Sequence, residues 1–164
     1  MNDIQVDNEE IKKYFPLDKV LEGMFDIYQQ LLGLTFTAVE FADKWHEQML
    51  AYAVHESKSG EFVGNFFLDL HPRDGKYGHA AVWPLQKGVD LPDGSRQSPL
   101  AGMLCNFTKP VDGSPLLKHG EVVTLFHEFG HVMHNICTKA GIYRFSATST
   151  ERDFVEASSQ MLEN

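Results

Sequence analysis

The chain carries 14 Lys and Arg against 23 Asp and Glu in 164 residues, a formal charge of −9, with 43% hydrophobic and 23% charged residues. Such a composition belongs to one folded domain of ordinary size, and the scattered acidity argues against nucleic acid or an anionic membrane as partner. No run of about 18 apolar residues occurs, and the N-terminal MNDIQVDNEEIKKYF has no basic region followed by an apolar one, so neither a membrane span nor a secretion signal is expected.

No internal repeat or low-complexity tract divides the chain, which reads as helical ends around a strand-rich middle. After Pro16, placed in a first helical turn, Val20, Leu21, Met24, Phe25, Tyr28, Leu31 and Leu32 recur at helical spacing and predict an amphipathic helix that Gly33 ends. LTFTAVEF, MLAYAVHE and FVGNFFLDL, between Leu34 and Leu70, predict a small, mostly antiparallel sheet, with Ser57 to Glu61 as a hairpin turn. The Gly-, Pro- and Asp-rich stretch that follows is expected to be mostly loop, with HAAVW and MLCNFT as further short strands. Within it, Arg73-Asp74-Gly75-Lys76-Tyr77 reads as a turn rather than an anion site. Cys105 and Cys137 lack CxxC spacing and sit in apolar surroundings, so buried, reduced thiols are expected, as in a reducing cytosol. From His119 to Thr138 a second helix is predicted, with Gly120 as its N-cap.

That helix contains His127-Glu128-Phe129-Gly130-His131, the pattern H-E-x-x-H. Histidines four residues apart lie about 400° apart in rotation and roughly 6 Å along the axis, so both imidazoles project from one face and can grip one zinc ion. Glu128 points about 100° away from His127. It can reach a water on the metal without being a ligand and act as general base for peptide hydrolysis. The pentapeptide alone could arise by chance in a histidine-containing chain, but its neighbours Thr124, Leu125, Phe126, Phe129, Gly130, Val132 and Met133 are all uncharged, as a helix buried beneath a metal site requires.

Zinc needs a third protein ligand. The metzincin pattern is excluded, because His134 and Cys137 stand where glycine and histidine would be needed. The acidic candidates downstream are Glu151, Asp153, Glu156 and Glu163, on a helix predicted to begin near Ser149 or Thr150, and spacing alone does not choose among them. His134 lies about 10.5 Å along the axis from His127, too far for the same metal, and reads as a supporting or core residue. His46, His55, His71, His79 and His119 have no partner at ligand spacing and are expected on the surface or in the core.

The run HEFGHVMH followed by ERDFVEASSQMLEN resembles the active-site region of the thimet oligopeptidase and neurolysin family of zinc metallopeptidases. The likeness continues upstream through DGSRQ and GNFFLDLHPRDGKYGHAA to YFPLDKVLEGMFDIYQQLLGLTF, nearly the whole chain. By this resemblance Glu156 becomes the third ligand, with His127 and His131, to one Zn2+ per chain, and Glu128 keeps its catalytic role. The resemblance implies an α+β, mainly helical fold, with zincin-like active-site helices packed with the small antiparallel sheet. It further implies that residues 1–164 are part of the catalytic domain of a larger, two-lobed helical peptidase, without the family's N-terminal and C-terminal helical regions. The expected substrates are internal bonds of short, unstructured peptides, and the expected location is cytoplasmic, with a mitochondrial form of a monomeric parent also compatible.

Ala80 and Ala81 are small enough to let another backbone approach, and resemblance to zinc peptidases implies peptide binding by strand addition, so His79, Ala80, Ala81 and Val82 are expected to form the substrate-facing edge of the sheet. Ser158 departs from the family's usual proline, and Gly120 from its usual acidic residue. A second reading is a noncatalytic truncated isoform or fragment that keeps zinc or a partner surface without turnover. MLEN stops inside an apparent helix without a glycine cap, and the family's downstream oxyanion donors are not in the chain. Apolar faces left uncovered in such a fragment predict poor hydrolysis and self-association.

Overall fold

The computed structural model describes residues 7–108, 113 and 115–163. Residues 1–6 and Asn164, the outer ends of the MNDIQVDNEEIKKYF and MLEN segments, lie outside the described residues. In chain order come α1 (Asn8–Ile11), a 3-10 turn (Lys12–Tyr14), α2 (Leu17–Leu32), β1 (Leu34–Ala38), β2 (Leu50–Glu56) and β3 (Phe62–Asp69). They are followed by β4 (Ala81–Gln86), β5 (Val89–Asp90), β6 (Arg96–Gln97), β7 (Leu100–Leu104), α3 (His119–Ile136), a 3-10 turn (Tyr143–Phe145), α4 (Arg152–Val155) and α5 (Ala157–Gln160). No helix among the described residues is long and apolar enough to cross a membrane.

Five strands form one sheet in the order β1-β2-β3-β7-β4, and β5 and β6 make a separate two-stranded ribbon. Three of the four pairings are antiparallel, while β3 and β7 run parallel and are joined by the long connection through β4 to β6. The β2–β3 hairpin closes through residues 57–61, where Gly60 takes φ 73° and its N–H donates to Glu56 O. β4 is an edge strand, which is where Pro84 is tolerated, since proline cannot donate to a central ladder. Its observed bounds begin two residues later than HAAVW. β7 ends at Leu104, inside the predicted MLCNFT strand; the Cys105 N–H makes the last bond to β3, at Asp69 O, and the Phe107 N–H donates just beyond it to Leu70 O.

One face of the sheet carries α2 and α3. Phe66, Leu68, Ala101 and Met103, all 0% exposed, meet Met24 and Tyr28 of α2 and Leu125, Phe129 and Val132 of α3. Phe25, Phe36, Tyr52, Phe66 and Phe129 form a cluster of edge-on and stacked rings at its centre, worth about 0.5–1.5 kcal/mol per pair beyond area burial. Tyr28 Oη donates to Phe126 O at 3.2 Å, tying the two helices, and burial pushes its phenol up to about 12. The opposite face is covered by the 39–49 loop, whose Phe41 and Trp45 rings sit against Phe67.

Several local expectations are corrected. Pro16 caps α2 from outside rather than occupying its first turn, whereas Gly33 ends the helix in the left-handed region as predicted. Lys118, not Gly120, is the N-cap of α3, because the Glu121 carboxylate accepts the Lys118 backbone N–H at 2.8 Å. The helix ends at Ile136, and Arg96 of the DGSRQ turn donates to Thr138 O and Ala140 O just beyond it. Downstream, one predicted helix is instead two short ones that meet at Glu156. Cys105 is buried, but Cys137 is exposed, against expectation.

Arg73-Asp74-Gly75-Lys76-Tyr77 does form a turn, with Gly75 at φ 78°, but its cations are not free. Asp69, 3% exposed at the end of β3, accepts two bonds from Arg73 at 2.7 Å, one from Lys76 at 2.9 Å and one from Trp45 Nε1 at 2.9 Å. Lys76 Nζ also donates to Asp69 O, His71 O and Cys105 O, so one buried ammonium pins the ends of β3 and β7 to the loop leading into β4. Burial works to raise the Asp69 pKa, but the bonds from Arg73, Trp45 and Lys76 outweigh it and hold the carboxyl far below the usual carboxylate range. Because the folded-state value lies below the unfolded one of about 3.9, this stabilisation is complete above that pH and is lost as pH falls beneath it toward the folded-state value. Asp69→Asn is therefore expected to lose about 3–5 kcal/mol at pH 7, since it strands the buried Lys76 ammonium. Urea unfolding at pH 7 and pH 3 should show the gap to wild type narrowing by about 1 kcal/mol at the lower pH; an unchanged gap would contradict this account of Asp69.

Candidate metal centre

The centre is assembled from one long helix and one break between two short ones. α3 runs beneath the sheet with Leu125, Phe129, Val132, Met133 and Ile136 buried, which turns the His127 and His131 face toward α5. At Gly130, between the histidines, a Cβ would lie 2.5 Å from both Ser158 O and the Ser159 Cα, so only glycine allows the α5 backbone to rest on α3. α5 in turn begins after Glu156, whose backbone (φ −86°, ψ −5°) interrupts the helical run. The Ser159 hydroxyl, fully buried, donates to Glu156 O at 3.0 Å and to Glu156 Oε2 at 2.7 Å, fixing the carboxylate toward α3.

The result places Glu156 Oε2 3.0 Å from His131 Nε2 and 3.3 Å from His127 Nε2. One donor atom from each of His127, His131 and Glu156 lies within 4.8 Å of the other two, and all three residues are partly buried. Two imidazole nitrogens and a carboxylate oxygen are a donor set that suits zinc. Their charge states agree with it. Burial pulls the His131 pKa down, and Glu156 only partly opposes this, so the neutral imidazole with a free lone pair is favoured. Glu156 is held below its usual range, first by the Ser159 hydroxyl and then by the two histidines, so it stays ionised.

Glu128 is half-buried on the neighbouring face of α3, and burial pushes its carboxyl up, His127 opposing and Glu156 adding to the shift. Burial, with a smaller contribution from the Glu128 charge, raises the Cys105 thiol to about 12. Of the other acids that spacing left open, Glu151 and Asp153 are exposed and outside the donor group, and Glu163 contacts His127 from a different side: its Oε2 lies 2.7 Å from Nδ1. His134 is partly buried, its pKa lowered by burial, with no partner for Nδ1 among the described residues. His71 bonds Phe107 O, and the rings of His55, His79 and His119 pack against Phe62, Tyr77 and Phe15. His79 and Ala80 precede β4, while Ala81 and Val82 open it; Asn106 Nδ2 donates to Tyr77 O and His79 O, and Ala80 and Val82 pack on the core side. A cavity of about 640 Å³ lined in part by Leu34, Phe62, Arg96 and Cys137 lies at the far end of α3 and contributes nothing to this centre.

Over residues 1–164 the chain matches the family described as Peptidase family M3. The chain belongs to peptidase family M3, the thimet oligopeptidase family. It is 53% identical over 165 residues to "Thimet-like oligopeptidase" of Dictyostelium discoideum, covering 99% of this chain and 24% of that protein. It is 42% identical to "Saccharolysin" of Saccharomyces cerevisiae, covering 99% and 24%, and 36% identical to "Oligopeptidase A" of Escherichia coli, covering 97% and 24%. The chain therefore spans about a quarter of the length of the curated relatives it matches. M3 enzymes are metallopeptidases, and His127, His131 and Glu156 form a group of side chains that could hold a metal ion.

The α3–α5 contact carries a test of how the centre is built. Alanine at 130 would gain about 1 kcal/mol of helix propensity but must push the α5 backbone away, an overpacking cost of about 1–3 kcal/mol. Gly130→Ala should be less stable than wild type in chemical unfolding and should bind metal at least tenfold more weakly in a chelator competition. A variant that gains stability and keeps its metal affinity would show that α5 does not rest on Gly130.

Proposed function

We propose that the chain is the catalytic segment of a zinc-dependent oligopeptidase that cuts internal bonds of short, unstructured peptides. The observation that carries this reading is the convergence of His127, His131 and Glu156 with the half-buried Glu128 one position along the same helix. When bound, zinc supplies a Lewis acid that polarises the scissile carbonyl and makes water acidic enough to lose a proton near neutrality. Glu128 receives that proton at a carboxylate oxygen and returns it to the leaving amine. Its raised pKa suits both transfers better than an ordinary surface glutamate would. His79, Ala80, Ala81 and Val82, at the start of the edge strand, hold the peptide in extended form by strand addition, with small side chains leaving room for its backbone. In this reading the active-site helices and sheet are a zincin-like portion of a larger two-lobed peptidase, working on peptides in the cytoplasm.

A second reading is supported by the exposure of Ile27, Leu31, Leu32, Tyr143, Phe145, Phe154 and Met161. With this much apolar surface in water, the 164 residues by themselves would hold zinc, self-associate and turn over substrate poorly.

A single set of peptide kinetics distinguishes the roles, run in the protein that carries this segment at the length of its relatives. Glu128→Gln should retain one zinc while kcat falls at least 100-fold, and Ala81→Leu should chiefly raise KM. Turnover by Glu128→Gln within a few-fold of wild type would remove Glu128 as the base. Unchanged KM in Ala81→Leu would remove the edge strand as the peptide site.

A further inference from the structure

We infer that Glu163 is a positioning residue of the metal centre, holding the His127 ring by Nδ1 so that Nε2 keeps a free lone pair for zinc; the inference rests on the zinc reading above. Glu163 Oε2 lies 2.7 Å from His127 Nδ1, while Glu156 Oε2 lies 3.3 Å from Nε2 of the same ring. The two nitrogens of an imidazole point in diverging directions, so one carboxylate is on the metal side and the other is behind the ring. Glu163 is therefore no ligand, although spacing in the sequence leaves it open as one. Its side chain is only 21% exposed, and the preceding Leu162 packs against the main core, so the carboxylate is held where it can act.

Neutral histidine side chains in water favour the tautomer with hydrogen on Nε2, which would block the donor atom. A carboxylate that accepts from Nδ1–H reverses that preference and fixes the ring orientation. His131 has no such support: its Nδ1 is buried and without a partner among the described residues. The two histidines are thus inequivalent, His127 being oriented by a charge and His131 by its place on the helix and by Glu156.

Nitrogen-15 NMR of the imidazoles in the zinc-free chain, at a pH where His127 is neutral, reads the tautomer without any metal. Chelator competition then reads zinc affinity. In wild type His127 should carry its hydrogen on Nδ1, and in Glu163→Ala it should shift to Nε2, with His131 unaffected. Zinc binding should weaken about 10–100-fold in Glu163→Ala and about tenfold or less in Glu163→Gln, whose amide oxygen still accepts, with one zinc bound in each. An unchanged tautomer with affinity within twofold of wild type in both variants would overturn the inference. Loss of all zinc from folded Glu163→Ala would make Glu163 a ligand and overturn it too. Should Glu163→Ala not fold, Glu163→Gln carries both readouts. Wild-type chain that binds no zinc would sink the zinc reading instead, and the tautomer measurement would still decide the Glu163–His127 contact.

Discussion

The missing side chain at Gly130 lets the backbone of α5 rest on α3, and the geometry of the candidate metal centre depends on that contact. Two histidines at i and i+4 are arranged by the helix itself and need nothing else to share a face. The carboxylate is different, because it arrives from a separate segment whose position along α3 is set by how near two backbones can come. Glycine inside a helix costs about 1 kcal/mol relative to alanine. Here that cost accompanies a packing that alanine would forbid, and Ser159 completes it by turning the Glu156 carboxylate inward.

A second constraint is electrostatic and lies at the ends of β3 and β7. Asp69, Arg73 and Lys76 are close enough in sequence to look like a solvated turn, yet Lys76 is buried with its charge matched by Asp69 and three carbonyl oxygens. Such pairs add less to stability than their short distances suggest, because both charges must leave water. Their effect is to fix the path of the loop that delivers His79 to Val82 to the sheet edge.

Much of this was legible in the sequence where a local period or a local turn decides structure. The apolar stripe from Val20 to Leu32, the stop at Gly33, the hairpin at 57–61 and the common face of His127 and His131 each follow from interactions within a few residues. What could not be read depends on long-range contact. The parallel pairing of β7 with β3, the buried partners of Lys76, the exposure of Cys137 and the break at Glu156 arise between segments far apart in the chain. The choice among Glu151, Asp153, Glu156 and Glu163 is the clearest case. All four stand within 13 residues on a stretch that looks like one helix, and only the folded arrangement separates Glu156, facing both Nε2 atoms, from the exposed Glu151 and Asp153 and from Glu163 on the Nδ1 side of His127.

The central claim, that His127, His131 and Glu156 hold one metal through Nε2, Nε2 and a carboxylate oxygen, is tested most directly by zinc-edge X-ray absorption on the zinc-loaded chain. The account predicts two imidazole scattering patterns and additional oxygen at about 2.0–2.2 Å, with one imidazole pattern lost in His131→Ala. Sulfur at about 2.3 Å, or a single imidazole in the wild-type chain, would contradict it.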